Sequence, residues 1–325
     1  MRECRMRCRW LVVGLVLTGP IHAKPWLYQL QNPNPSAIAK SGFRAAVIDY
    51  SRDGTDATRL TPGQLRRLTH KGITPLAYFS IGEAENYRFY WDPGWVGHEN
   101  MNQFTALAPA WLGHTNPDWI GNYKVRYWEP AWRDNVLRPY LDRILAQHFR
   151  GVYLDIIDAF EYWASPKSYG GKGETFMPGD PRGDEAEAAL RMIVLVEWIA
   201  NYARSHGSPR FLVYPQNAEN ILSYDTDRRY RRAISGIGVE DLFYNGTRHQ
   251  APAEVNFRLQ FLRKLHAAGK RVLCVDYVDT GGSDAANKAR ITDFVRRCKA
   301  EGFDFYAARK DRELDRINVI PGVQP

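Results

Sequence analysis

GVYLDIID (151–158) and ISGIGVEDLFY (234–244) are the two stretches whose reading decides the fold. Each is a short, largely apolar run that closes on acids: Asp155 and Asp158 in the first, Glu240 and Asp241 in the second. Runs of this length and composition read as buried strands of a parallel sheet. Six more lie at 26–31, 45–50, 74–83, 210–217, 271–278 and 303–309. Helical segments alternate with them, which makes a series of βα units. Eight strands are the number that closes a (β/α)8 TIM barrel, an α/β fold, here with long loops after strands 3 and 4. An open doubly wound sheet is the structural alternative. Its Gly-rich turn after the first strand is replaced by Gln29-Leu30-Gln31-Asn32-Pro33.

Strand parity extends the reading. Gly236 and Gly238 share the parity of Glu240, which suits a crowded lumen beneath an upward-facing acid. Tyr153 shares the parity of Asp155. Asp49, Glu83 and Asp276 close three other strands, so five strands are expected to bring acids to one rim. Cys274 has the parity of Asp276 and is expected inside the barrel, away from Cys298 on an outer helix, so both should stay free thiols. An isolated acid at such a place is commonly a helix cap. A ring of like charges instead requires a ligand or raised pKa values. Barrel enzymes keep their chemistry at the C-terminal ends of the strands, and two converging carboxylates are the minimum equipment of a glycosidase.

The helices carry their own punctuation. Thr61-Pro62 opens one and Gly72 closes it. The longest covers 185–206, with Leu190, Ile193, Val194 and Glu197 on one face. Ser283-Asp284 starts another, which places Ile291, Phe294, Val295 and Cys298 at core spacing.

The 325 residues, 44% of them hydrophobic, suffice for one domain of barrel size over 24–325. Residues 1–23 read as a signal peptide: Arg2, Arg5, Arg7 and Arg9 precede a short apolar stretch at 10–17, and Ala23 offers a cleavage point. That stretch is too short to span a bilayer. The expected product is a periplasmic or secreted monomer with no membrane partner after cleavage. Removing the leader takes four Arg and one Glu, leaving 40 Lys+Arg against 35 Asp+Glu. The excess is spread along the chain without a basic run, so a nucleic-acid partner is not expected. The eight His form no HxH pair on the first strand and no HExxH helix, and there is no GxSxG elbow or Walker loop. No metal and no cofactor are expected.

The segment 84–132 holds six of the ten Trp. Aromatic rings suit a sugar-binding cleft, although a loop this long also buries some of its own rings. At least two of Tyr87, Tyr90, Trp91 and Trp95 are expected to line a cleft beside Glu83.

In these motifs the chain resembles glycoside hydrolase family 114, the endo-α-1,4-polygalactosaminidases. The matching stretches are Trp26-Leu27-Tyr28-Gln29-Leu30-Gln31, Tyr78-Phe79-Ser80-Ile81-Gly82-Glu83-Ala84-Glu85, Val125-Arg126-Tyr127-Trp128, 151–158, Tyr214-Pro215-Gln216-Asn217, Gly238-Val239-Glu240 and Val275-Asp276-Tyr277. The resemblance implies a barrel, an endo-acting hydrolase without a metal, and Asp155 and Glu240 as the catalytic pair. It also implies a cationic, galactosamine-rich polysaccharide as substrate. Candidate substrate contacts are Asp49, Glu83, Tyr87, Trp91, Asp158, Gln216, Asn217, Asp276 and Tyr277. A catalytically inactive polysaccharide-binding barrel and a carbohydrate-processing enzyme of other chemistry, such as a deacetylase, remain as alternatives.

Overall fold

The computed structural model describes residues 23–97, 100–165, 174 and 176–325. The leader before Ala23 and the Gly170-Gly171-Lys172-Gly173 run lie outside the described residues. Eight strands form in the expected places: β1 (Leu27–Gln29), β2 (Ala45–Ile48), β3 (Thr74–Ser80), β4 (Gly151–Asp155), β5 (Leu212–Pro215), β6 (Gly236–Glu240), β7 (Arg271–Asp279) and β8 (Asp304–Arg309). All neighbouring pairs are parallel. Strands β1 to β5 hydrogen-bond in chain order, as do β6 to β8. Parallel bridges Gln216↔Gly238 and Pro25↔Phe305 join the two groups. The Asn217 N–H donates to the Gly238 carbonyl at 2.9 Å and the Trp26 N–H to the Phe305 carbonyl at 3.1 Å, which completes the barrel.

The longer outer helices are α1 (Pro62–His70), α2 (Arg138–Ala146), α3 (Glu185–His206), α4 (Pro252–Ala267) and α5 (Ala285–Glu301). Thr61 caps α1 with a capping box to Gln64. Asp284 caps α5, whose Ile291, Phe294, Val295 and Cys298 are buried as the spacing predicts. On α3 the buried face differs from the expected one. Leu190 and Val194 are exposed, while Ala188, Ala189, Met192, Ile193, Val196 and Ala200 face the sheet. Small residues let this helix approach the barrel closely, so Ala marks the buried side more faithfully than size does.

Residues in register on parallel neighbours share a face. Tyr78 pairs with Tyr153 and Tyr153 with Tyr214, so these rings and Tyr28 fill the lumen. The rings of Trp26, Tyr28 and Tyr153 lie 5.4 to 6.0 Å apart. Glycines on β6 make the room: a Cβ at Gly236 would strike the ring of Tyr214, and one at Gly238 the hydroxyl of Tyr153.

The same register corrects the expected parity of β7. Glu240 pairs with Val275, so Val275 and Tyr277 face inward, while Cys274 and Asp276 face the outer helices. The two thiols meet there and remain free, but not because the sheet separates them. A strand buried on both faces carries little polarity signal to say which parity points in.

Two expected strands end early. β3 stops at Ser80, and Glu83–Glu85 starts a separate antiparallel sheet with Asn122–Val125 and Leu112–Thr115. β6 stops at Glu240 because Asp241 turns into the left-handed region at φ +50°. The 84–132 insertion is therefore a folded layer over the rim, not a free loop.

Candidate active site

A cavity of about 620 Å³ opens at the C-terminal ends of the strands. Asp155, Glu240, Asp49, Glu83, Tyr87, Asp158, Gln216, Asn217 and Tyr277 all lie on its wall. Trp91 and Asp276 do not. Trp91 stacks on Tyr123 at 4.6 Å and meets Trp95 at 5.1 Å, inside the self-packed insertion. Of the four rings expected beside Glu83, only Tyr87 reaches the cavity. Asp276 faces outward and accepts the backbone N–H groups of Leu242, Phe243 and Tyr244 at 2.8 to 2.9 Å, fixing the turn after β6.

Asp155 ends β4 and Glu240 ends β6, with only β5 between them. The Tyr78 hydroxyl donates to Asp155 Oδ2 at 2.6 Å, and the Ile156 N–H donates to Oδ1 at 2.8 Å. Burial pushes the Asp155 carboxyl up to about 7, against the pull of Tyr78, and the Glu240 charge raises it further. Glu240 accepts from the Tyr277 hydroxyl. The Tyr28 hydroxyl donates to Gln216 Oε1 at 3.0 Å, which leaves the Gln216 amide to donate to Glu240. Burial raises the Glu240 carboxyl as well, and the Tyr277 bond opposes it. Each acid thus has a tyrosine hydroxyl on one oxygen and is half-buried at the cavity floor.

The backbone after these strands turns sharply. Ile156, Asn217 and Asp241 have φ of +60°, +57° and +50°. For β-branched Ile156 this costs on the order of 1–3 kcal/mol. The turn brings the Ile156 carbonyl against Gly82, where any Cβ would collide with it. Gly82, in the matched SIGE stretch, is the residue that permits the turn holding Asp155.

Two cation-centred groups flank the pair. On one side Lys124 pairs with Glu83, and Asn116 Nδ2 donates to Glu83 Oε1 at 3.0 Å. Burial raises the Glu83 carboxyl, Lys124 opposes the shift, and the charge of the exposed Asp158 adds to it. On the other side the buried Arg88 guanidinium bridges Asp49 at 2.8 Å and Glu85 at 2.7 Å. The Tyr87 hydroxyl donates to Glu85. Glu85, Arg88, Lys124 and Tyr78 were not among the expected site residues, although Tyr78 and Glu85 lie in a matched stretch. Inward parity on β3, matched to Tyr153, would have found Tyr78.

The C-terminal segment supplies the remaining wall through Arg312, Glu313 and Leu314. The Leu30 and Gln31 N–H groups donate to the Leu314 carbonyl at 2.8 and 3.1 Å. Arg312 lies 4.2 Å over the Tyr277 ring and pairs with Asp241 at 2.7 Å. Among the described residues no group of three or more His, Cys, Asp or Glu is arranged to hold a metal ion. No helix among them is long and apolar enough to cross a membrane.

The chain is 43% identical over 300 residues to an uncharacterized protein of Thermotoga maritima, covering 92% of this chain and 85% of that one. Among solved structures it is similar to the glycoside hydrolase domain of PelA from Pseudomonas aeruginosa, with TM-score 0.61 and 16% identity over 91% of this chain and 97% of that one. It is also similar to Aspergillus fumigatus Ega3 in complex with galactosamine, with TM-score 0.59 and 17% identity over 90% and 93% of the two chains. Both likenesses concern the fold. The model of glycoside-hydrolase family GH114 matches residues 16–324, and with that match over nearly its whole length the chain belongs to this family.

Proposed function

We propose that the protein is an exported, endo-acting hydrolase of a galactosamine-rich polysaccharide, with Asp155 as nucleophile and Glu240 as general acid/base. The observation that carries this reading is the placement of two half-buried, tyrosine-bound carboxylates one strand apart in one cavity. The cavity wall bears eight carboxylates against three guanidinium groups, a field that favours a cationic polymer. Ega3, of similar fold, was solved with galactosamine.

In the first step Asp155 attacks the anomeric carbon while Glu240 gives its proton to the departing glycosidic oxygen. In the second, Glu240 takes a proton from water, which displaces Asp155 from the sugar. The raised Glu240 carboxyl suits the acid role. The donors on Asp155 support its ionised form against burial, and an incoming ammonium group would bring its raised pKa down.

Product analysis by mass spectrometry after incubation with a panel of amino-sugar polymers tests the activity. Shortened oligomers are expected; release of acetate without chain cleavage would establish a deacetylase instead. Proton NMR of the first product should show retained anomeric configuration. An inverted product would make Asp155 the base that activates water.

Tyr277→Phe removes a donor that favours ionised Glu240. The Glu240 pKa should rise, so the alkaline limb of the kcat profile, set by loss of the acid's proton, should move to higher pH. An unmoved or lowered limb would take Glu240 out of the acid role. Export is proposed from the basic and apolar stretches of the leader. N-terminal sequencing of native material should find the chain starting near Lys24, and an intact Met1 would overturn this.

A further inference from the structure

Trp119 stands apart from every other tryptophan among the described residues. Trp26, Trp111, Trp132 and Trp163 are buried, and Trp91, Trp95, Trp128 and Trp198 pack against the core. Trp119 is 61% exposed, takes no part in that core, and yet lies on the wall of the catalytic cavity. It sits at the tip of the hairpin between Leu112–Thr115 and Asn122–Val125.

The tip is held firmly. The Asn116 N–H donates to the Asn122 carbonyl at 2.7 Å, and the Asp118 N–H to Asn116 Oδ1 at 3.0 Å. Gly121, at φ +98°, lets the turn dock on Asn86, whose N–H donates to the Gly121 carbonyl at 2.9 Å. Asn116 also reaches Glu83 inside the cavity. The backbone that carries the indole is therefore fixed relative to the acids, while the indole itself makes no core contact. An exposed ring held in that way has its faces free for a ligand, and an indole face attracts both the C–H face of a pyranose and an ammonium group.

We propose that Trp119 is a stacking platform that grips an amino-sugar unit of the polymer away from the scissile bond. This rests on reading the cavity as a polysaccharide-hydrolase site. Trp119→Ala should raise KM for an amino-sugar polymer about tenfold with little change in kcat. KM for a short, aglycone-activated amino sugar should not change. The melting temperature should stay within a degree or so, since no core contact is lost. Ile120→Ala, at the neighbouring exposed side chain, serves as the control without effect. An unchanged polymer KM in Trp119→Ala, or an equal rise for the short substrate, would overturn the platform.

Calorimetric titration separates this idea from the activity itself. The Asp155→Asn protein, with and without Trp119→Ala, is titrated with galactosamine oligomers. Weaker binding in the double variant supports the platform even if the wild type cleaves no polymer tested, in which case the hydrolase reading falls alone. Equal binding by the two proteins overturns the platform.

Discussion

Asp155→Asn is expected to lower turnover by roughly three to six orders of magnitude while the barrel stays folded. The amide keeps the shape of the carboxylate: its oxygen can accept from the Ile156 N–H and its NH2 can donate to the Tyr78 hydroxyl, so the lumen beneath it need not move. What is lost is the charge that attacks the anomeric carbon. Glu240→Gln should lose a comparable amount on the natural polymer, because a departing sugar alkoxide needs a proton. The two variants part on an activated substrate. A phenolate leaving group needs no proton, so Glu240→Gln should recover much of its first step and Asp155→Asn none. Steady-state kinetics on both substrates measures this, and full activity in either variant would remove that residue from the mechanism.

Asp155→Asn should also change stability in a pH-dependent way. The folded Asp155 carboxyl titrates at about 7, above its ordinary 3.8. A group raised on folding stabilises fully below the unfolded value, and that contribution is lost as pH rises through the folded one. Removing the ionisable group should therefore change little at pH 4 and stabilise by about 1–3 kcal/mol at pH 8. Thermal melts at the two pH values test the sign. A variant less stable than wild type at pH 8 would mean that the neighbouring donors outweigh burial.

Gly238→Ala is expected to destabilise the barrel by about 3 kcal/mol and to cost activity as well. The new methyl group would strike the Tyr153 hydroxyl and ring, and that ring is already walled by Trp26 and Tyr28. Either Tyr153 or β6 must shift, and Glu240 lies two residues further along β6. Tyr153 Oη has no hydrogen-bond partner among the described residues. Adding Tyr153→Phe should therefore recover only a small part of the lost stability, since the nearest atom goes without loss of a bond while the ring atoms that are also struck stay. A double variant no better than Gly238→Ala alone would show that the collision is with the ring or that β6 moves.

The barrel was legible because its signals are local. Each strand is a run of branched and aromatic residues, and the helix caps at Thr61 and Asp284 follow from single residues. Asp155 and Glu240 were legible for the same reason, as each closes its own strand. The remaining site residues depend on contacts far apart in sequence. Lys124 reaches Glu83 only because the insertion folds back as an antiparallel sheet. Arg312 enters from beyond the last strand, where no periodicity marks it. Asp276 and Tyr277 adjoin on one strand, and only the register against β6 decides that the tyrosine faces inward. Trp91 was misplaced because an aromatic-rich segment of this length makes a core for itself.

The position of Arg312, Glu313 and Leu314 on the cavity wall has a consequence for biogenesis. β1 finds its second neighbour only when β8 has been made, and the Leu30 and Gln31 amides find their acceptor later still, at Leu314. These residues follow β8, the last barrel strand, so a nascent chain can collapse around its first strands well before the cavity wall is complete. The cavity is therefore completed late, and a change at Arg312, Glu313 or Leu314 would act on the chamber wall and on the seam between β1 and β8 together.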